Sequence, residues 1–279
     1  MTMTTAHATL DKWLAGHPYL REVFRFQQAV DEALGSHEMT PLPVPQWEGF
    51  ADAFGRGTSM LGNIPLDEEV CSRFGGLIFR LADRMSRADI PEEVRRECSL
   101  LHDELRRFPD AATGIMNQLL SGREAGMLSG TVRYLGWRAM ERVLRPWAES
   151  LARWAAEDTL WGRPYCPLCG SLPAMAQLVR TGKGRERFLS CDCCGSRWIW
   201  QRTGCPFCGN HDQDKMEVFE LEGEEHFRID HCRECNGYIK TCIEEGDEEL
   251  LLADWSSLHL DIIAGQEGFQ RRAGSLFEL

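Results

Sequence analysis

Long hydrophobic runs are missing from this 279-residue chain: nowhere do about 18 apolar residues follow one another, so no membrane-spanning helix is expected. The segment Met1–Asp11 has no basic stretch leading into an apolar one and no twin-arginine pair, and the expected location is therefore the cytoplasm. Positive charge is also in deficit. With 31 Lys and Arg against 43 Asp and Glu, the net charge is −12, which argues against bulk attraction to nucleic acid or anionic lipid. Catalytic signatures are equally scarce. There is no Gly-x-Ser-x-Gly elbow, no phosphate-binding loop and no His-Glu-x-x-His set, and Gly55-Arg-Gly57 followed by Gly62 has the wrong spacing for a dinucleotide fingerprint. No enzyme active site is predicted.

What the chain does have is cysteine. Of 12 cysteines, eight fall in four Cys-x-x-Cys pairs: Cys166/Cys169, Cys191/Cys194, Cys205/Cys208 and Cys232/Cys235. Two pairs sit in nearly identical pentapeptides, Cys166-Pro-Leu-Cys-Gly170 and Cys205-Pro-Phe-Cys-Gly209, and 21 and then 23 residues separate the first pair from the second within each half. Such a knuckle brings two sulfurs to one ion, and a following Gly tolerates the backbone turn this needs. Two knuckles make the closed tetrathiolate shell of a structural Zn²⁺ and equally of a single Fe. A set of reduced or disulfide-bonded cysteines is the alternative. In a reducing compartment the pairs read as thiolates.

Sequential pairing groups Cys166, Cys169, Cys191 and Cys194 as one site and Cys205, Cys208, Cys232 and Cys235 as the other; a cross-braced arrangement remains open. Cys193 is expected to be an exposed spare thiol or an alternative ligand, and Cys242 a packed residue. His231 directly precedes Cys232 and is expected at the surface, with a hydrogen bond towards the site as the alternative. A full thiolate shell leaves none of the open positions that a catalytic zinc keeps.

The remainder divides by periodicity into an all-α domain over 1–160, two β modules over 161–203 and 204–245, and a helical tail over 246–279, an α+β organisation. Pro18 opens a helix with Leu20, Val23, Phe24, Val30 and Leu34 on one face, and Pro41-Leu-Pro-Val-Pro45 forces an extended connector. A stronger helix follows Pro65, with Val70, Phe74, Leu77, Ile78, Leu81 and Met85 aligned; another follows Pro91 with Val94, Cys98, Leu101 and Leu105. Cys71 and Cys98 read as packed residues, and Arg80, Arg84, Arg87, Arg95, Arg96, Arg106 and Arg107 as a solvated face. From Arg123 to Glu157 one or two helices are predicted, with Pro146 ending or kinking them. Short β-like runs follow at Arg187–Ser190, Arg197–Trp200, Val218–Leu221, Phe227–Ile229 and Tyr238–Lys240. Each is too short to stand alone, so metal is expected to supply local stability. The tail, Glu248 to Phe269, offers Leu251, Leu258, Ile262 and Ile263 for packing.

The order of these motifs resembles the formate dehydrogenase accessory protein family, FdhE. The likeness rests on Tyr165-Cys-Pro-Leu-Cys-Gly-Ser171-Leu-Pro173, Cys191-Asp-Cys-Cys with Trp198, Cys205-Pro-Phe-Cys-Gly209, Cys232-Arg-Glu-Cys-Asn-Gly-Tyr-Ile-Lys240, and Ala253-Asp-Trp-Ser-Ser-Leu258 running to Gly268-Phe269. It implies two tandem rubredoxin-like or zinc-ribbon modules, each holding one metal ion on four cysteines, iron first and zinc as the alternative. It implies a cytoplasmic assembly factor that binds the catalytic molybdenum or tungsten subunit of formate dehydrogenase. Cys193 and Asn236 depart from the family pattern; Asn, like Gly, tolerates left-handed geometry.

Two other functions fit the residues. A rubredoxin-like site can carry one electron without an open position. A zinc-ribbon nucleic-acid binder would use Arg180, Lys183, Arg185, Arg187, Arg197 and Arg202 interleaved with Phe188, Trp198 and Trp200, although acidic stretches from Asp212 to Glu225 and from Glu244 to Glu249 oppose it. Phe207, Trp198 and Trp200 are either exposed partner anchors or packing over the metal sites.

Overall fold

The computed structural model describes residues 3–36, 40–63, 66–121, 128–157, 161–182, 184–243 and 248–275. Pro65, Arg123, Lys183 and the start of the second acidic stretch, from Glu244, lie outside them.

Ten α-helices and seven strands occur among the described residues, in the order helices then sheet then helices. The helical half comprises α1 (Met3–Gly16), α2 (Arg21–Gly35), α3 (Ala51–Gly55), α4 (Met60–Asn63), α5 (Glu68–Met85), α6 (Glu92–Arg107), α7 (Ala111–Ser121) and α8 (Gly130–Glu157). Helix α5 is its axis, packing against α2, α6, α7 and α8. Its start is set by Asp67, whose carboxylate accepts the Val70 amide at 2.9 Å, with Glu68 and Glu69 in the first turn where the helix dipole favours acids. All six apolar residues predicted for its face are buried. Cys98 is fully buried in the same core, and the proline-rich connector is irregular, as expected. Pro146 does not end α8: the helix runs through it to Glu157, and the neighbouring Trp147 indole donates to the Pro43 carbonyl at 2.9 Å.

The sheet runs in the order β3-β2-β1-β6-β5-β4, with β7 beside β6. Its members are β1 (Met175–Thr181), β2 (Gly184–Ser190), β3 (Arg197–Trp200), β4 (Met216–Phe219), β5 (Phe227–Cys232), β6 (Gly237–Cys242) and β7 (Gln270–Arg271). Each half is a three-stranded antiparallel meander. The halves join edge to edge where β1 meets β6 in parallel, Met175 opposite Lys240 and Gln177 opposite Cys242. The first and third strands of a meander run the same way, so this parallel join places the two repeats in one orientation. The join also covers an edge strand of each half, which removes two open edges.

The tail forms α9 (Glu248–Leu251), a short 3-10 turn over Asp254–Ser257 and α10 (Leu258–Gln266). Leu251 and Leu258 pack inward as expected, but Ile262 is 51% exposed because its neighbours Ala264 and Leu260 take the inward positions. The apolar residues form two cores. The larger fuses the helical half with Cys166, Leu168, Leu189, Cys191, Cys194 and Trp198. The smaller joins Trp13 and Leu20 to Phe227, Ile229, Tyr238 and the tail, so the first helix packs on the second module.

Candidate metal centres

The four knuckles share one backbone device. The residue after each second cysteine is left-handed: Gly170 (φ 82°), Gly195 (φ 68°), Gly209 (φ 72°) and Asn236 (φ 56°). This turn lets the amides of Gly170, Gly195 and Gly209 reach the carbonyls of Cys166, Cys191 and Cys205 at 2.9, 3.1 and 3.0 Å. Asn236 is the non-glycine residue among the described ones that adopts such a φ. It is held there by its own amide, which donates to the Gly268 carbonyl at 2.8 Å, and by His231, 2.9 Å from its side-chain oxygen.

The knuckles gather their sulfurs sequentially. Cys166, Cys169, Cys191 and Cys194 form one group and Cys205, Cys208, Cys232 and Cys235 the other, with the sulfurs of each group within 4.8 Å of one another. Across the first, Cys166–Cys194 and Cys169–Cys191 are both 3.5 Å apart; across the second, Cys205–Cys235 is 3.7 Å and Cys208–Cys232 3.8 Å. A tetrahedral ion with bonds of about 2.3 Å needs sulfurs about 3.8 Å apart, against about 2 Å in a disulfide. The donor sets fit a four-coordinate ion and leave no disulfide. Ser171 and Ser196 hydroxyls lie 3.3 Å from the Cys169 and Cys194 sulfurs, and the Phe207 amide donates to Cys205 at 3.4 Å. These are the outer hydrogen bonds that orient thiolates. Hydrogen bonds from neighbouring sulfurs, chiefly Cys166, hold the Cys169 thiol well below its ordinary pKa, whereas burial pushes the Cys194 and Cys205 thiols up. Four buried sulfurs can all ionise only around a cation.

The surroundings differ. The first cluster is built into the helical half: the amides of Met60 and Leu61, at the start of α4, donate to the carbonyls of Pro167 and Leu168 at 2.8 and 2.9 Å. Tyr165 donates to the Gly57 carbonyl at 2.6 Å, Trp198 to the Arg163 carbonyl at 3.1 Å, and the Glu141 side chain of α8 lies against Gly195. The second cluster is capped by the tail, where Phe269 stacks on His231 at 3.9 Å and the Gln270 amide donates to the Asn236 carbonyl at 2.8 Å. Cys208 is exposed.

Several expectations are corrected. Cys193 is half-buried beside Cys191 and Ser171 rather than exposed, and it lies outside the four-sulfur group. His231 is buried rather than superficial; the Phe269 stack and Glu217, 3.1 Å from Nδ1, enclose it. Of the two readings open for the aromatics, the structure takes the packed one: Trp198 is buried, and Trp200 and Phe207 pack against the main core. The basic and aromatic strip does not form one surface. Arg187 is buried between the Gly204 carbonyl at 3.1 Å and Asp230 at 3.6 Å, and Arg197 donates to Gln177.

One polar cluster has almost no signal in the sequence. The Lys240 ammonium, 1% exposed, donates to Asp254 at 2.5 Å and to Asp261 at 2.8 Å. Arg271 binds the same two carboxylates at 2.8 and 2.7 Å, while Tyr238 and Ser275 each donate to one of them at 2.7 Å. Burial opposes ionisation of Asp254, and the Lys240 and Arg271 charges overcome it, leaving the carboxyl well below its usual range. The network ties β6 to the tail. A charged residue ending the apolar run Tyr238-Ile-Lys240 is the one local hint of it.

Among the described residues, no helix is long and apolar enough to cross a membrane. Residues 204–277 match the family described as the FdhE C-terminal domain. Over 158 residues the chain is 30% identical to a protein FdhE homolog of Aquifex aeolicus, covering 56% of this chain and 55% of that protein. A Haemophilus influenzae homolog (strain PittEE) is 31% identical over 66% of this chain and 61% of its own length. A second from that species (strain Rd) is 26% identical over 91% of this chain and 81% of its own. The matched region thus spans a little over half of the first two relatives. The crystal structure of the FdhE protein from Pseudomonas aeruginosa shares the fold, with a TM-score of 0.69 at 23% identity over 95% of this chain and 91% of that one. Residues 204–277 are thus similar to the FdhE C-terminal domain, and the chain is similar to FdhE proteins along most of its length.

Proposed function

We propose that this protein is a non-enzymatic accessory factor, acting in the cytoplasm, that binds the catalytic molybdenum- or tungsten-containing subunit of a formate dehydrogenase during its maturation. The observation that carries the reading is the closure of both clusters, each with four converging sulfurs and none of the oxygen or nitrogen donors of an open catalytic site. The eight cysteines named above are the proposed ligands, and each ion would hold two knuckles together as a structural cross-link. The domain limits at 160, 203 and 245 are proposed as the units of this scaffold, although the strand pairing continues across the last two modules.

Capture of the isolated dehydrogenase catalytic subunit by the full metal-loaded chain tests the reading. The expected result is a complex on a sizing column, together with restored formate dehydrogenase activity when the chain is supplied to cells lacking their own copy. Absence of both overturns it. A one-electron role for the second cluster has one supporting feature, the exposed Cys208 sulfur, which brings a redox path to the surface. Protein purified without oxygen separates the readings of the metal: an Fe(III)–thiolate colour supports iron, and a colourless zinc form ends the redox reading.

A further inference from the structure

A third group of metal-binding side chains lies outside both cysteine clusters. His17 precedes the first turn of the second helical segment, Glu224 sits in the β4–β5 hairpin, and His259 lies in α10. Their ligand atoms lie within 4.8 Å of one another: Glu224 Oε2 is 2.9 Å from His259 Nε2 and 3.6 Å from His17 Nε2. We propose that these three residues bind a divalent cation of the zinc class, which clamps the N-terminal helices to the second module and to the tail.

His17 has one acceptor that fixes its ring proton. Its Nδ1 lies 3.0 Å from the Trp13 carbonyl, which can only accept, so a neutral ring keeps its proton there. In that tautomer the Nε2 lone pair faces Glu224 Oε2 at 3.6 Å, a separation that one shared cation spans. A cation held by both atoms would be bound by an imidazole and a carboxylate. A carbonyl-anchored Nδ1–H is also how ligating histidines are commonly oriented. Glu224 is aimed in the same way: its Oε1 accepts the His226 amide at 3.4 Å, which leaves Oε2 for both imidazoles. Trp13 stacks on the His17 ring at 3.9 Å and fixes its plane.

The donor set decides the metal. Two imidazoles and a carboxylate suit zinc and its borderline neighbours, and they differ from the thiolate clusters in chemistry. Bonds of about 2.0–2.1 Å put tetrahedral ligands about 3.3 Å apart, and the two observed edges, 2.9 and 3.6 Å, bracket that value. Three protein ligands would leave a fourth position for water, and the 58%-exposed Tyr19 ring stands 5.9 Å from His17 and 6.0 Å from His259. The residues are 17, 224 and 259, so the ion would close a loop through nearly the whole chain.

The experiment is zinc stoichiometry of the full-length protein with its cysteine clusters loaded, by equilibrium dialysis at micromolar free Zn²⁺ and elemental analysis. Three ions per chain are expected in the wild type and two in the His17→Gln, His259→Gln double variant, checked for folding by circular dichroism. A second measurement needs no variant: Zn²⁺ should reduce diethyl pyrocarbonate modification of His17 and His259 severalfold while leaving His211 unchanged. Two ions in the wild type, a third retained by the double variant, or equal modification with and without Zn²⁺ would overturn the proposal.

Discussion

At the first cluster Cys166, Cys191 and Cys194 are at most 2% exposed and share one hydrophobic core with α5 and α8. At the second, Cys208 is exposed, Cys235 is half-buried, and the tail provides the cover. The knuckle geometry is the same in both. What differs is how much of the molecule would stand on an ion bound there. A metal within a core organises everything packed around it, whereas a metal at a sheet margin organises its own meander. Local stability follows buried contacts rather than the number of ligands.

The largest effect expected is on the first cluster. Cys194→Ser removes a ligand from a buried site whose ion contributes on the order of 10 kcal/mol, comparable to the whole stability of a typical domain. We expect little soluble protein and, in what remains, loss of the cooperative thermal transition monitored by circular dichroism. A variant that melts like the wild type would break the distinction between the clusters.

Next in size is the Lys240 network. Lys240→Met leaves Asp254 and Asp261 with the Arg271 cation and the Tyr238 and Ser275 hydroxyls, and breaking such a buried pair costs about 3–5 kcal/mol. Urea unfolding of the metal-loaded protein should show that loss while both ions remain bound. The smallest effect is at the second cluster's own turn. Asn236→Ala keeps the left-handed backbone but removes the side-chain hydrogen bonds to Gly268 and His231 that hold it there, at about 1–2 kcal/mol. A lower melting temperature with faster metal release from this cluster alone is expected.

The same contrast separates what is legible in the sequence from what is not. The face of α5 and the eight paired cysteines lie in local patterns, one of period 3.6 and one of fixed spacing, and the structure uses both. Strand β1 escapes such a reading because Met175-Ala-Gln-Leu-Val179 carries a buried Gln and a small Ala where alternation would mark a face. Helix α7 escapes it because Gly114, Thr113 and Asn117 weaken its helical signal. The parallel join of β1 to β6, the partners of Lys240 and the convergence of His17, Glu224 and His259 all depend on residues far apart in the chain. Periodicity does not encode such pairings. Burial of His231 depends likewise on Phe269, which arrives from the tail.

Metal release to a chelator in excess, followed by a colorimetric indicator, tests the central claim most directly. In the His17→Gln, His259→Gln background, which leaves the two thiolate sites alone, unequal embedding predicts two phases of equal amplitude, one ion each, with the fast phase missing when Cys208→Ser is added and the slow phase accompanied by unfolding of the helical half. A single phase for both ions, or a fast phase that survives Cys208→Ser, would contradict the account.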